Sequence, residues 1–174
     1  MRACTSAVFA LVAFTLGALP AGAQDAKTVD ITPYVALGSE MSSPVGGAIT
    51  FPVTSTLSVE TDVAYRRAEG NIGALSLSAS LLYDLPRVGR STPYVAAGVG
   101  LAKYGALVSS PNGSPIGTQS RLATTVNAGG GLKMPINDKL ALRTDARWGK
   151  FLSVQGPSEW FRVAQGISFR AGKR

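Results

Sequence analysis

Apolar side chains recur at every second position through most of this chain. From Thr56 to Arg67, Leu57, Val59, Thr61, Val63 and Tyr65 fall on one side, and Ser58, Glu60, Asp62, Ala64 and Arg66 on the other. Leu75, Leu77, Ala79, Leu81 and Tyr83 likewise oppose Ser76, Ser78 and Ser80, while Leu140, Leu142, Thr144, Ala146 and Trp148 oppose Ala141, Arg143, Asp145, Arg147 and Gly149. Successive side chains of a strand point to opposite faces, so alternation separates the charges cleanly, whereas a helix would wind them around every side. Five further segments follow the rule less sharply: Val29 to Gly38, Val45 to Val53, Thr92 to Lys103, Arg121 to Lys133 and Trp160 to Arg170. The pattern predicts about eight antiparallel strands of about ten residues each.

The connections alternate in character. Pro52–Ser55, Asp84–Ser91 and Pro135–Asp138 are tight or turn-rich. Between them come Arg67–Gly73, a long loop expected over Gly105–Ser120, and Lys150–Glu159. The long one holds Ser109-Ser110-Pro111-Asn112-Gly113-Ser114-Pro115, which is strong turn chemistry. Short turns at one rim, longer loops at the other and an even strand count describe an all-β, closed, up-and-down transmembrane barrel.

A soluble, lipocalin-like ligand-binding barrel would show the same period with its apolar side chains inside. Three features favour lipid outside. The non-apolar faces carry charges of both signs beside small residues, as a narrow filled lumen needs. The apolar faces are nearly free of charge through their middles. Aromatics on those faces fall near strand ends, Tyr65, Trp148 and Phe161 toward one rim and Phe51, Tyr83 and Phe169 toward the other. Two such girdles mark the two interfaces of a bilayer. Lys103 falls on the lipid phase but near a strand end, where its stem can snorkel. Gln165 falls nearer mid-strand, an unfavourable place for an amide unless a bulge near Gly166 shifts the register.

The N-terminus reads as a targeting segment. Arg2 precedes an apolar run from Ala7 to Leu19, Pro20 breaks it, and Ala21-Gly22-Ala23 supplies small residues before a cut at Gln24. That is the layout of a secretory signal peptide, and the run is too short to span a bilayer as a helix. The expected division is a leader over 1–23 and a barrel domain over 24–174. The only cysteine, Cys4, lies in the leader, and the chain has no histidine. Disulfides, thiolate metal sites and histidine-dependent catalysis are therefore not expected. The net charge is +7, and loss of Arg2 would leave +6. The basic residues are scattered over strands and strand ends rather than gathered in a patch, which argues against nucleic acid as a partner.

Several segments resemble the outer-membrane β-barrel proteins of the OmpA/opacity type: Thr92-Pro93-Tyr94-Val95-Ala96-Ala97-Gly98-Val99-Gly100, Asn127-Ala128-Gly129-Gly130-Gly131-Leu132-Lys133, Leu140-Ala141-Leu142-Arg143-Thr144-Asp145-Ala146-Arg147, and the closing Gln165-Gly166-Ile167-Ser168-Phe169. The resemblance implies an eight-stranded barrel in the outer membrane of a Gram-negative bacterium. Its expected partners are membrane lipid and lipopolysaccharide, the barrel-assembly machinery during biogenesis, and a surface ligand met through the 105–120 loop. Members of this family often end on an aromatic residue, whereas here Ala171-Gly172-Lys173-Arg174 follows Phe169-Arg170.

The chemistry concentrates in the lumen. Glu60, Asp62 and Arg66 on the third strand would face Arg143, Asp145 and Arg147 on the seventh across the axis, with Arg162 of the eighth able to join. An eight-stranded interior is only wide enough for side chains to fill, so these charges are expected to meet as a buried ion network. Arginines beside the carboxylates would hold them ionised, which disfavours carboxylate-pair catalysis. Gly98-Val99-Gly100 and Gly129-Gly130-Gly131 lack the Lys-Ser/Thr and helix of a phosphate loop, and Asn112-Gly113-Ser114 reads as a turn. No catalytic residue, metal site or cofactor is expected. The expectation is a non-enzymatic barrel that supports the envelope or presents its loops, with a narrow ion or solute channel and a soluble ligand-binding barrel as alternatives.

Overall fold

A computed structural model describes residues 28–38, 44–67, 73–109, 115–152 and 159–172. The expected leader over 1–23 and the Asn112-Gly113-Ser114 turn lie outside them. Eight strands follow one another: β1 (Val29–Gly38), β2 (Val45–Pro52), β3 (Leu57–Arg67), β4 (Gly73–Asp84), β5 (Thr92–Ser109), β6 (Pro115–Pro135), β7 (Leu140–Phe151) and β8 (Glu159–Ala171). Each pairs antiparallel with its neighbour, and β1 closes on β8 from Val29↔Ala171 to Gly38↔Arg162. Closure leaves no sheet edge, so the ladder satisfies the backbone polar groups all round.

Three turns share one rim with the start of β1 and the end of β8. At the β2–β3 turn the Val53 amide donates to the Leu57 carbonyl at 2.8 Å, and Thr54 Oγ1 accepts from the Leu57 amide at 2.9 Å. At the β6–β7 turn Asn137 Oδ1 accepts from the Leu140 amide at 2.8 Å. The β4–β5 connection holds a Val88↔Ser91 bridge, with Gly89 at φ 60°. That left-handed backbone suits glycine, which has no Cβ to clash.

The loop expected over Gly105–Ser120 is mostly strand. β5 and β6 stay paired from Gly105↔Ser120 to Val108↔Gly117, with a register shift between Val108 and Ser109. Pairing of β4 to β5 stops at Ala74↔Tyr104, and pairing of β6 to β7 stops at Thr125↔Phe151. The hairpin thus leaves the wall and continues as a two-stranded ribbon. Its backbone groups find partners in each other, so it need not end where the barrel does. Only residues 110–114 remain as connection, outside the described residues. The paired residues from Gly105 to Ser109 carry the ribbon about 16 Å beyond Tyr104.

The alternation expresses itself as inverted polarity. Val35 and Leu37 are 61% and 70% exposed on the outer face, while Thr32, Tyr34 and Ala36 at the alternate positions of the same strand are buried. Ile49, Val63, Leu81, Val99, Leu122 and Ile167 continue this apolar outer surface around the barrel. A soluble lipocalin-like barrel requires the opposite arrangement. Gln165 sits on the outer face beside Val35 and Thr144, and Gly166 keeps the surrounding register on both sides, so no bulge turns the amide inward. Lys103 is also exposed, between Leu75 and Leu122 near the loop rim.

Val99 lies at mid-strand on the outer face, paired with Ala79 and Val126. Val99→Lys is expected to destabilise the barrel in lipid vesicles by about 2–4 kcal/mol, read by urea unfolding, because a charge there meets acyl chains.

Candidate functional site

The middle of the lumen is shut by charged side chains from β3, β7 and β8. Alternate positions of β7 send Arg143, Asp145 and Arg147 inward, and alternate positions of β3 send Glu60 and Asp62 to meet them. Glu60 lies between two arginines: Arg143 Nη1 donates to its Oε2, and Arg147 Nη2 donates to its Oε1 at 2.6 Å. Thr50 Oγ1 adds a third donor to Glu60 at 2.9 Å. Arg147 Nε donates to Asp145 Oδ1 at 2.9 Å and Nη1 to Ser80 Oγ at 3.0 Å. Glu60 and Arg147 are each only 1% exposed. An ion in such a place is tolerable only when its partners satisfy it nearly completely.

Two tyrosines extend the cluster in matching fashion. Arg143 Nε donates to Tyr94 Oη at 2.8 Å, and that hydroxyl donates onward to Asp145 Oδ2 at 2.6 Å. Arg162 Nη1 donates to Tyr34 Oη at 2.9 Å, and that hydroxyl donates to Asp62 Oδ2 at 2.6 Å. Arg162 also reaches Asp62 directly, Nη1 to Oδ1 at 3.2 Å and Nη2 to Oδ2 at 3.3 Å. Each guanidinium lies near the ring of its tyrosine, 4.9 Å for Arg143 with Tyr94 and 5.0 Å for Arg162 with Tyr34. Glycines make room for both phenols. A Cβ at Gly46 would come 2.5 Å from Tyr34 Oη, and one at Gly131 would come 2.6 Å from Tyr94 Oη.

Of the seven lumenal residues read from the sequence, the cluster joins Glu60, Asp62, Arg143, Asp145, Arg147 and Arg162. Arg66 stands instead on the wall of a cavity toward the loop rim. Tyr34 and Tyr94 were legible as inward-facing residues but not as members of the network. Their signal was parity: they share the inner face with Thr32 and Ala96 rather than with the girdle aromatics. The three arginines and three carboxylates leave the cluster with no net charge. Toward the turn rim, Lys133 Nζ pairs with Asp84 Oδ1 at 2.7 Å.

The cluster separates two spaces. A cavity of about 90 Å³ lies on the loop-rim side and a bowl of about 530 Å³ opens at the turn rim. Within the cluster about 10 Å³ remains, room for a single water at most. Among the described residues no group of His, Cys, Asp and Glu is arranged to hold a metal ion.

On the outer face Tyr65, Trp148 and Phe161 stand toward the loop rim and Tyr83 and Phe169 toward the turn rim, all about half exposed, with Phe51 less so. Trp148 and Phe161 are direct cross-strand partners.

No protein-family model and no curated protein matches the sequence. Solved structures do match. The N-terminal β-barrel domain of Pseudomonas aeruginosa OprF superimposes with a TM-score of 0.65 at 19% identity, covering 83% of this chain and 98% of that one. A major outer membrane protein from Thermus thermophilus gives 0.63 at 11%, covering 82% and 99%. Neisserial surface protein A gives 0.60 at 14%, covering 82% and 94%. The fold is that of the eight-stranded outer-membrane barrels, and the apolar exterior around an ionic centre gives this chain the polarity of a protein seated in that membrane.

Glu60→Gln leaves two buried arginines short of a counter-charge and is expected to cost about 3–5 kcal/mol in vesicle unfolding. Tyr94→Phe removes a hydroxyl that links Arg143 to Asp145 and is expected to cost about 1–3 kcal/mol. A loss for Glu60→Gln no larger than that of an exposed pair, about 0.2–1 kcal/mol, would mean that the centre is wet.

Proposed function

We propose that the chain is a non-enzymatic integral outer-membrane barrel that contributes to envelope structure and presents its loop rim to the cell exterior. The ion cluster carries this reading: it fills the lumen at its middle, and every carboxylate in it is held by arginine. The expected leader would direct export, and the barrel-assembly machinery would insert the chain. The projecting β5–β6 ribbon supports a role in meeting a surface ligand, because its paired strands continue beyond the point where their other neighbours in the wall stop. Exposed Lys103 and Lys150 at the loop-rim ends of their strands would favour anionic headgroups such as those of lipopolysaccharide.

A narrow channel is the second reading. It is favoured by the two spaces that approach the cluster from opposite sides, with only side chains between them. Planar-bilayer recording separates the two. The structural reading expects no steady conductance from the wild-type barrel, while discrete steps that vanish or change size in Arg143→Ala or Asp62→Ala would establish conduction. Fractionation should place the chain with the outer membrane; recovery as a detergent-indifferent soluble monomer would reject both readings.

A further inference from the structure

Gln165 is out of place on the outer face. Phe161 stands four residues before it on β8 and Phe169 four residues after, one in each aromatic girdle, so the amide lies about 13 Å along the strand from either. Its side chain is too short to reach an interface. Lys103, by contrast, shares a row with the girdle residue Tyr65 through Leu75. Between the girdles Gln165 is the only amide or charged side chain on the outer face among the described residues. It makes no side-chain hydrogen bond to any of them. Acyl chains offer it none, and an unpartnered amide in hydrocarbon is unfavourable.

A partner that relieves Gln165 must present both a donor and an acceptor at the same depth. A second copy of this chain does so by symmetry. Copies inserted in one direction are related by a two-fold axis along the bilayer normal, which carries each residue to an equal depth and sets a patch against itself. A primary amide is self-complementary, since each N–H donates to the other carbonyl and both bonds form together. The surface beside it also permits close approach. Thr144 is the direct partner of Gln165 on β7, and the next outward residue of β7 is Ala146, which faces Gly130 on β6. Small residues of this kind let two backbones come near each other in lipid.

From this we infer that the barrel forms a two-fold symmetric dimer in the membrane through the outer face of β7 and β8, with paired Gln165 amides at its centre. The contact lies on the lipid side of the wall and leaves the ion cluster untouched.

Energy transfer between barrels in lipid vesicles tests this dimer. Protein purified from the outer membrane is labelled at Ser55→Cys in the β2–β3 turn, half with donor and half with acceptor; the other cysteine, Cys4, lies in the expected leader. Parent barrels are expected to transfer above the level calculated for non-associating barrels at the same surface density, and to lose that transfer when excess unlabelled parent is added. Gln165→Leu is expected to weaken association about tenfold. Ala146→Trp sets a bulky ring beside the amide and is expected to abolish the excess transfer, whereas Ala79→Trp, outward on β4 across the barrel from β8, is expected to leave it. All three substitutions face lipid, and a heat-modifiable gel shift verifies that each variant is folded. Parent barrels at the non-associating level overturn the dimer while leaving the membrane seat intact. Transfer equal to the parent's in folded Gln165→Leu or Ala146→Trp, or lost equally in Ala79→Trp, overturns the face assigned to it.

Discussion

The structure depends on buried charges being paired across the barrel axis. Good packing elsewhere would not substitute for this one constraint: an arginine held at 1% exposure beside an unpaired neighbour is untenable in a low-dielectric interior. Glu60 on β3 meets arginines on β7, and Asp62 on β3 meets Arg162 on β8. Those ties connect strands that share no backbone hydrogen bonds. The wall fixes neighbour to neighbour, and the cluster fixes the two sides of the wall to each other.

The outer surface follows from the same alternation read from its other face. Every inward charge on β3 or β7 is flanked in sequence by an outward residue such as Val59, Thr61, Val63 or Ala146. A one-residue slip would exchange the two sets, putting Glu60 into acyl chains and Val59 into the ion cluster, so the bilayer and the cluster both oppose it. Tyr34 and Tyr94 add a finer constraint. Each phenol sits over a glycine on an adjacent strand, a fit in the manner of aromatic cover over glycine in a sheet, and each passes an arginine's hydrogen bond on to an aspartate.

The strands and their polarity were legible because alternation is a local property, visible within any stretch such as Thr56–Arg67. The lumenal charges were legible for the same reason, since parity alone sends Glu60, Arg143 and Arg147 inward. What parity does not contain is height along the axis. Which inward side chains meet depends on strand stagger, which is set by closure of the whole barrel. That is why Arg66, on the same face as Asp62, ends on the cavity wall, and why parity alone does not join Tyr34 and Tyr94 to the network. The β5–β6 ribbon failed for a different reason. Its glycines, serines and prolines carry turn chemistry, but long-range pairing between the two arms outweighs local preference.

The central claim, apolar groups in lipid around an ionic interior, is tested most directly by quenching with bromine on lipid acyl chains. Trp148 points out of the wall and Trp160 into the lumen, from neighbouring strands near the same rim. In vesicles of brominated phosphatidylcholine, Trp160→Phe barrels, which keep only Trp148, are predicted to lose most of their emission. Trp148→Phe barrels, which keep only Trp160, are predicted to retain it. Quenching of Trp160 with Trp148 spared would contradict the account.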